Sequence, residues 1–173
     1  MTALHQDGLL EASFKRSSNG KTVLQHQAQR FPLRMTVPMY LDGEDASMAF
    51  LYVQNPTGAI IADDRLTTSV TAESRSRVHV TTQSATKLHA MSGGKGHQEM
   101  TFRIGQDAYL EHIPDIIIPQ ARSKFSQRVN VELETGGCFI GTETIAPGRR
   151  FNDEVFEYEQ LDFETNVSLG SKL

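Results

Sequence analysis

Two adjacent carboxylates, Asp63 and Asp64, stand in the segment from Asn55 to Leu66, which reads NPTGAIIADDRL. Because neighbouring negative charges repel each other, this position suits either a solvated turn or a place that a cation passes. For Asp64 the plain alternative is a turn aspartate whose oxygens accept hydrogen bonds from backbone donors. The residues by themselves leave both interpretations open.

A third carboxylate, Glu143, follows an apolar alternation. If the segment from Phe139 to Ile145 is an extended strand, Glu143 has the same phase as those two residues and points to an apolar face. An unpaired buried carboxylate is costly, so Glu143 requires a partner or a wet cavity. A salt bridge to Arg149 or Arg150 is the alternative without a functional role.

The six histidines are scattered along the chain. Only His89 and His97 lie almost symmetrically about a predicted hairpin turn, where they could face each other across two strands. Such a pair suits a borderline metal, nickel or zinc, although exposed hairpin histidines usually have no function. We therefore keep them as a possible weak metal pair.

Patterns typical of catalysis are poor. Cys138 is the single cysteine and has no neighbouring charges that would activate it, so we predict a small core residue and exclude a multi-cysteine metal site. Neither a phosphate-binding loop nor a Gly-x-Ser-x-Gly turn occurs in the sequence. We predict no catalytic residues and no enzymatic activity.

The chain has 173 residues and a formal net charge of −4, with lysine and arginine spread along it. That length suits one domain, predicted over residues 1–173, and the charge argues against nucleic acid as a partner. The first residues lack a secretory pattern and the apolar runs are too short for a bilayer, so we expect a soluble, cytoplasmic protein without membrane association. The segment from Ser171 to Leu173 matches a peroxisomal address that would matter only in a eukaryotic cell.

Apolar and polar residues alternate between turn signals, and no segment has an apolar stripe at helical spacing. The clearest pattern is a hairpin with Val78 and Val80 on one strand, a break at residues 92–96, and Phe102 and Ile104 on the return strand. Further strands are predicted at residues 21–27, 48–54, 67–72, 109–113, 116–118, 125–133, 139–145, 151–158 and 161–167. We predict a mainly β fold of stacked antiparallel sheets, sandwich-like, with few or no helices and no internal repeat.

Several short motifs follow one another in a set order. They are Gly20-Lys21-Thr22, Pro38-Met39-Tyr40, Asn55-Pro56-Thr57-Gly58 leading to Asp64-Arg65-Leu66, Thr81-Thr82-Gln83-Ser84-Ala85-Thr86-Lys87, Leu110-Glu111-His112-Ile113-Pro114, and Pro147-Gly148-Arg149 with Phe151. In this succession the chain resembles the urease accessory protein UreD family, also called UreH, from about Gly8 to Tyr158. No single motif is specific, but their order is.

The chain departs from the family pattern at several positions. Three short segments replace the usual double proline, double glycine and Gly-Gly-Asp: Pro56-Thr57, Gly58-Ala59 and Ala62-Asp63-Asp64. After Lys87, the residues Leu88, His89 and Ala90 stand in place of aromatic residues and arginine, so partner contacts there are expected to differ. Family members continue beyond Leu173, so the resemblance implies that a C-terminal portion is missing.

The resemblance implies a non-enzymatic scaffold and chaperone that joins UreF and the GTPase UreG on apo-urease so that nickel is installed. In the family, nickel is thought to cross a water-filled internal passage lined partly by acids. By position, the resemblance assigns Asp64, Thr86 and Glu143 to this passage. Lone oxygen donors offset part of the lost hydration of Ni²⁺ without completing a ligand set, so we expect transient Ni²⁺, no tight metal site and no tightly bound cofactor.

Two other functions remain open. The first is a free-standing β-sandwich module that binds protein and has no role in nickel delivery. The second is a hydrolase that uses Asp64 and Glu143 as an acid and base pair. The sequence shows neither a nucleophile nor a substrate pocket, so the hydrolase ranks last.

Overall fold

The structure is a computed structural model that describes residues 5–41, 43 and 47–170. The described residues form fourteen strands and one short 3-10 helix, so the predicted mainly β fold with few or no helices is confirmed. The strands are β1 (Asp7–Arg16), β2 (Thr22–Arg30), β3 (Arg34–Met35), β4 (Ala49–Gln54), β5 (Ala59–Ile60), β6 (Arg65–Ala72), β7 (Arg77–Thr82), β8 (Thr86–Leu88), β9 (Gly96–Ile104), β10 (Tyr109–His112), β11 (Ile117–Pro119), β12 (Lys124–Leu133), β13 (Cys138–Gly141) and β14 (Gln160–Leu169). The 3-10 helix covers Arg150–Asn152. The match to a peroxisomal address at residues 171–173 lies outside the described residues.

The strands form three sheets, and from β4 onwards consecutive strands belong to different sheets. The six-stranded sheet has the order β14-β12-β9-β6-β1-β2, the five-stranded sheet β13-β10-β7-β4-β3, and the three-stranded sheet β11-β8-β5. The chain therefore winds from β4 to β5 to β6, and each further coil adds one strand to each sheet through β7 to β9 and β10 to β12. This arrangement is a three-sided β-solenoid.

Most strand pairs are parallel, which corrects one part of the predicted fold. Only β1–β2 and β3–β4 pair antiparallel, whereas the other nine pairs are parallel. Stacked sheets are confirmed, but the antiparallel, sandwich-like arrangement is wrong. Period-two alternation reports that one face of a strand is buried and carries no information on the direction of its neighbours.

The predicted hairpin around residues 92–96 does not form. Val78 and Val80 lie on β7 in the five-stranded sheet, whereas Phe102 and Ile104 lie on β9 in the six-stranded sheet. The short strand β8 lies between them along the chain and belongs to the third sheet. The two strands are successive sides of one coil and do not pair with each other.

The prediction of no internal repeat is also wrong. Ala49 pairs with Val78, Leu110 with Val78, and Phe139 with Leu110, so the chain returns to the same position after 29, 32 and 29 residues. The repeat lies in the backbone path and not in residue identity. It is therefore invisible to a search for similar segments.

The interior divides into an apolar part and a polar part. At one end of the long strands, Val70, Phe102 and Val131 are in register and fully buried or nearly so. Towards the beginning of the same strands, Gln98 of β9 is in register with Gln127 of β12, which is only 5% exposed. Inward-facing amides require polar partners or water, so this part of the interior is the place to look for a site.

Three further local predictions are corrected. Residues 151–158 do not form a strand, because the segment contains part of the 3-10 helix followed by turns and bends, with Phe151 and Phe156 exposed. Strand β13 ends at Gly141, so Glu143 lies beyond it. Cys138 is exposed and is not a core residue, because its neighbour Phe139 takes the inward phase of β13.

Among the described residues, no helix has the length and apolar character needed to cross a lipid bilayer.

Close contact between successive coils at Gly105 gives a test of the solenoid. A Cβ atom on Gly105 would lie 2.8 Å from the backbone nitrogen of Ser74 and 3.2 Å from the carbonyl oxygen of Ala72, whereas one on Gly93 would meet nothing within 4 Å. We expect Gly105→Ala to lower the free energy of unfolding by about 1–3 kcal/mol, the usual cost of overpacking. Gly93→Ala should change it by less than about 0.5 kcal/mol. Chemical denaturation measures both, and equal stability of the two variants would contradict the stacking.

Candidate functional site

A cavity lined by both apolar and polar side chains lies between the three sheets of the solenoid. Its volume is about 30 Å³, and its lining includes Thr68, Thr86, Gln98, Gln127 and Glu143. An enclosed space of roughly 10–15 Å³ with polar partners is enough for one water molecule. This cavity therefore has both the room and the hydrogen-bonding groups for water. We call it the second cavity, because it shares lining residues with two others.

Two further cavities adjoin the second one. The first cavity, of about 50 Å³, lies beside the turn that contains Asn55 and Gly58 and shares Thr86 and Gln98 with the second. The third cavity, of about 270 Å³, includes residues of the last coil and shares His112 with the second. The three cavities thus share lining residues from the first coil to the last, and the third is bordered by exposed residues, among them Gly141, Thr142 and Thr165.

Thr86 lies where the first and second cavities meet. It begins β8 in the three-stranded sheet, is partly buried, and is in register with Ile117 of β11. Outward-facing Lys87 and inward-facing Leu88 follow it, so strand alternation directs the Thr86 side chain inward. The structure therefore places this sequence-predicted residue on the cavity wall.

Glu143 lies beyond β13 and is exposed, although its carboxylate has a buried partner. Gln127 Nε2 donates a hydrogen bond to Glu143 Oε1 over 2.5 Å, and Glu143 lines both the second and the third cavity. The alternative of a salt bridge to Arg149 or Arg150 is not found among the described residues, because Arg149 pairs with Glu154 and Glu143 forms no ion pair. Arg149, through its hydrogen bond, lowers the pKa of Glu154. Glu143 thus has one protein partner and access to solvent.

Asp64 occupies a different environment. It is 1% exposed, Gln6 N donates to its Oδ1 over 2.9 Å, and Ile61 N donates to its Oδ2 over 3.0 Å. Its backbone carbonyl accepts a hydrogen bond from His97 N, which belongs to the next coil. Neighbouring Asp63 is exposed in a left-handed conformation. Asp64 therefore has the turn role that the sequence left open.

The predicted site residues are only partly brought together. Thr86 and Glu143 line the same cavity, whereas Asp64 does not line any of the three. A hydrolase that uses Asp64 and Glu143 as an acid and base pair has no basis in this arrangement, because the two carboxylates do not share a cavity.

The geometric basis of the His89 and His97 pair is absent. His97 lies on the outward face of β9, in register with Arg65 and Ser126, and its Nδ1 is 2.8 Å from Ser126 Oγ. His89 follows β8 at the corner of the coil and is exposed. Burial, and then the charge of Lys95, lowers the pKa of His97. In the described part of the chain, no group of three or more His, Cys, Asp or Glu residues could hold a metal ion.

Sequence reasoning missed His112. It is 7% exposed on the inner face of β10, its ring lies 4.7 Å from the ring of Phe102, and it lines the second and third cavities. Burial lowers the pKa of His112 to about 4, so the imidazole is neutral at pH 7. The available signal was its phase, because it alternates with Glu111 and shares the inward parity of Leu110.

Opposite His112, the outer face of β10 carries a hydrogen-bonded cluster. Tyr109 Oη donates to Glu111, and His79 Nδ1 lies 2.8 Å from Glu111 Oε2. The bond from Tyr109, with a smaller contribution from His79, lowers the pKa of Glu111. The same bond raises the pKa of Tyr109 to about 12. Arg77 covers the Tyr109 ring, so the cluster is internally satisfied.

The role of Asp64 can be tested by a matched pair of substitutions. Asp64→Asn replaces one acceptor oxygen by an amide group that faces a backbone N–H donor, so we expect the free energy of unfolding to fall by about 1–3 kcal/mol. Asp63→Asn keeps a residue type that tolerates the left-handed conformation and should change it by less than about 0.5 kcal/mol. Denaturation curves measure both, and an unaffected Asp64→Asn variant would contradict the turn role.

The outer cluster predicts a late-ionising tyrosine. The pKa of Tyr109 is raised from 10.0 to about 12 in the folded chain, so its contribution to stability is full below pH 10 and is lost as the pH rises towards 12. Glu111→Gln should return the pKa of Tyr109 towards its ordinary value. NMR of labelled tyrosine measures this, with Tyr158 in the same sample as the internal control. A pKa of Tyr109 unmoved by Glu111→Gln would show that the hydrogen bond is not the cause.

The comparisons with known proteins agree on one family. The sequence model of the UreD urease accessory protein matches residues 6–173. The chain is 36% identical over 157 residues to the urease accessory protein UreD of Mycolicibacterium gilvum (strain PYR-GCK), covering 91% of this chain and 58% of the relative.

Two further relatives carry the same name. Urease accessory protein UreD of Cenarchaeum symbiosum (strain A) is 32% identical over 146 residues, covering 84% of this chain and 51% of the relative. That of Lysinibacillus sphaericus (strain C3-41) is 31% identical over 167 residues, covering 96% and 61%. The chain thus spans somewhat more than half the length of these curated relatives. With a match along nearly all of its residues, the chain belongs to the UreD family of urease accessory proteins.

Proposed function

We propose that this chain acts in urease maturation as a non-enzymatic scaffold that Ni²⁺ crosses on its way to apo-urease. Its family membership supports the process, because the relatives are named urease accessory proteins. One structural observation supports the passage: three cavities of the solenoid share lining residues, and each has polar side chains on its wall. The place of action in this proposal is the cytoplasm.

The lining of the cavities suits a cation that must leave again. Ni²⁺ arrives hydrated, and the Thr86 hydroxyl, the Glu143 carboxylate and the side-chain carbonyl of Gln127 offer oxygen atoms that offset partial dehydration. Within the described residues no cluster of three strong metal ligands is found, so no complete protein ligand set competes with release. Weak, successive contacts are what transit requires.

Asp64 contributes to this proposal through the backbone. It holds the turn between β5 and β6 by accepting hydrogen bonds from Gln6 and Ile61. Ile60 and Leu66, on either side of that turn, line the first cavity. In this proposal Asp64 stabilises the turn beside the first cavity, and Thr86 and Glu143 make the contacts with Ni²⁺.

The proposed partners are UreF, the GTPase UreG and apo-urease. A scaffold needs surfaces for them. The segment between Ile145 and β14 presents exposed apolar side chains at Phe151, Val155 and Phe156. Exposed apolar residues that are close in sequence are typical of protein contacts. The alternative function, a free-standing module that binds protein without nickel delivery, keeps such a surface but gives the cavities no role.

Nickel loading of urease tests the passage. In the complete maturation complex, we expect Glu143→Gln and Thr86→Val to lower the nickel content of co-expressed urease, because each removes an oxygen donor or its charge from the cavity wall. Glu132→Gln is the matched control, since Glu132 faces outward and pairs with Arg103. Nickel per urease active site is measured by elemental analysis.

A pull-down with UreF and apo-urease separates transit from assembly. The passage role requires that the two cavity variants keep both partners while loading falls. Unchanged loading with intact complexes would remove the passage role. Failure of the unaltered protein to retain either partner would remove the scaffold role and favour the free-standing module.

A further inference from the structure

We propose that His112 and Glu143 form a two-ligand site, between the second and third cavities, that selects Ni²⁺ or a similar borderline cation over Mg²⁺. The inference rests on the proposed passage and adds a selecting residue to it. Both side chains line both cavities, so a cation moving between the cavities meets them. The family resemblance includes His112 in the motif Leu110-Glu111-His112-Ile113-Pro114 but assigns no role to its imidazole.

The His112 ring is buried, unpartnered and directed into the cavity. The side chain is 7% exposed, and no hydrogen bond to its ring nitrogens is found among the described residues. The ring packs on that of Phe102, with centroids 4.7 Å apart and planes inclined by 37°, and its nitrogens are not among the fully enclosed polar atoms without a partner. A buried imidazole without a protein partner needs water or a cation there.

The third cavity borders His112 and its neighbour on the last coil. His112 pairs with Val80 on the preceding coil and with Gly141 on the following coil. A Cβ atom on Gly141 would lie 2.7 Å from the Phe139 ring, so that ring occupies the space where a side chain would begin. With no side chain of its own, Gly141 leaves its backbone on the cavity wall together with His112.

Glu143 is oriented by a second residue. Gln127 Nε2 donates to Glu143 Oε1, and Gln127 itself is buried on the inner face of β12. This bond fixes the carboxylate while its other oxygen, Oε2, keeps its capacity to bind a cation. Such outer partners orient the groups that contact metals.

An imidazole ligand would allow the passage to distinguish Ni²⁺ from Mg²⁺. Oxygen donors suit Mg²⁺ as well as Ni²⁺, whereas a neutral imidazole nitrogen favours nickel, copper and zinc. The first junction, at Thr86 and Gln98, offers oxygen atoms and amide groups and cannot reject Mg²⁺ on this ground. With only two protein ligands, most of the coordination sphere stays with water, so the cation is selected and then released.

NMR of the six histidine rings tests the site directly on the isolated chain. With Mg²⁺ in large excess, substoichiometric Ni²⁺ should broaden the His112 ring signals first, because Ni²⁺ is paramagnetic and Mg²⁺ does not compete for nitrogen. Broadening confined to the exposed His89 or His97 would show adventitious surface binding and overturn the inference. The result expected for His89→Gln, the matched control, is unchanged broadening at His112.

Two substitutions of His112 keep the test valid if one variant fails to fold. His112→Phe preserves the packing on Phe102 and removes the nitrogen donor, whereas His112→Gln keeps a polar group. Either folded variant should lose Ni²⁺ affinity about 10-fold or more, the lower range for a lost metal-site group, while Mg²⁺ affinity is unchanged. Equal loss for the two cations would contradict selection by the imidazole.

The failure of this inference is distinguishable from failure of the proposed function. If Glu143→Gln and Thr86→Val lower urease loading but Ni²⁺ never reaches the His112 signals, the passage stands and the selecting site is wrong. If Ni²⁺ binds at His112 but the nickel content of urease is unchanged in all cavity variants, His112 is part of a metal site and the proposed passage is wrong.

Discussion

In-register parallel stacking of the coils is the constraint on which the interior depends. Successive strands of one sheet lie about 4.8 Å apart, so each inward side chain contacts its equivalents on the coils above and below. An apolar position is therefore extended by apolar neighbours, as with Val70, Phe102 and Val131. A polar inward residue requires polar neighbours or water in the same row, and Gln98 beside Gln127 satisfies that requirement. The row is not polar throughout, because Leu66 lies beside Gln98 and Phe163 beside Gln127 on the neighbouring strands.

The three sides of the coil differ in length, and this difference places the cavities. The long strands carry the apolar rows, whereas β5, β8 and β11 have only two or three residues each. Short strands bring few side chains to the interior, so space beside Thr86 is filled less completely than space beside Phe102. Water fills a polar gap at little cost, whereas an apolar gap of this size would lose packing contacts. The same geometry therefore gives a closely packed apolar core and, beside it, cavities with polar side chains on their walls.

Sequence reasoning identified the strands and the family but not the parallel pairing of the strands. Alternation identified the buried face of β9 and β12 correctly, because it reports parity. It could not give parallel pairing, since the partner of Val78 lies about thirty residues away in both directions. Glu143 was assigned to the apolar face of a strand, but the strand ends at Gly141 and Glu143 is exposed, with one carboxylate oxygen bonded to buried Gln127. For Asp64 the sequence allowed a turn role or a contact with a cation. Its hydrogen bonds from two backbone donors identify the turn role.

Strand β10 shows why His112 is the informative polar residue of the chain. On its outer face, Glu111 accepts from Tyr109 and His79, so every polar group there has a partner and the pKa of Glu111 falls accordingly. On its inner face, burial holds His112 neutral and the protein offers its nitrogens no partner among the described residues. The two faces belong to one short strand, so their polar groups differ only in what the neighbouring elements offer them. A largely buried group without a protein partner is available to whatever enters the cavity beside it.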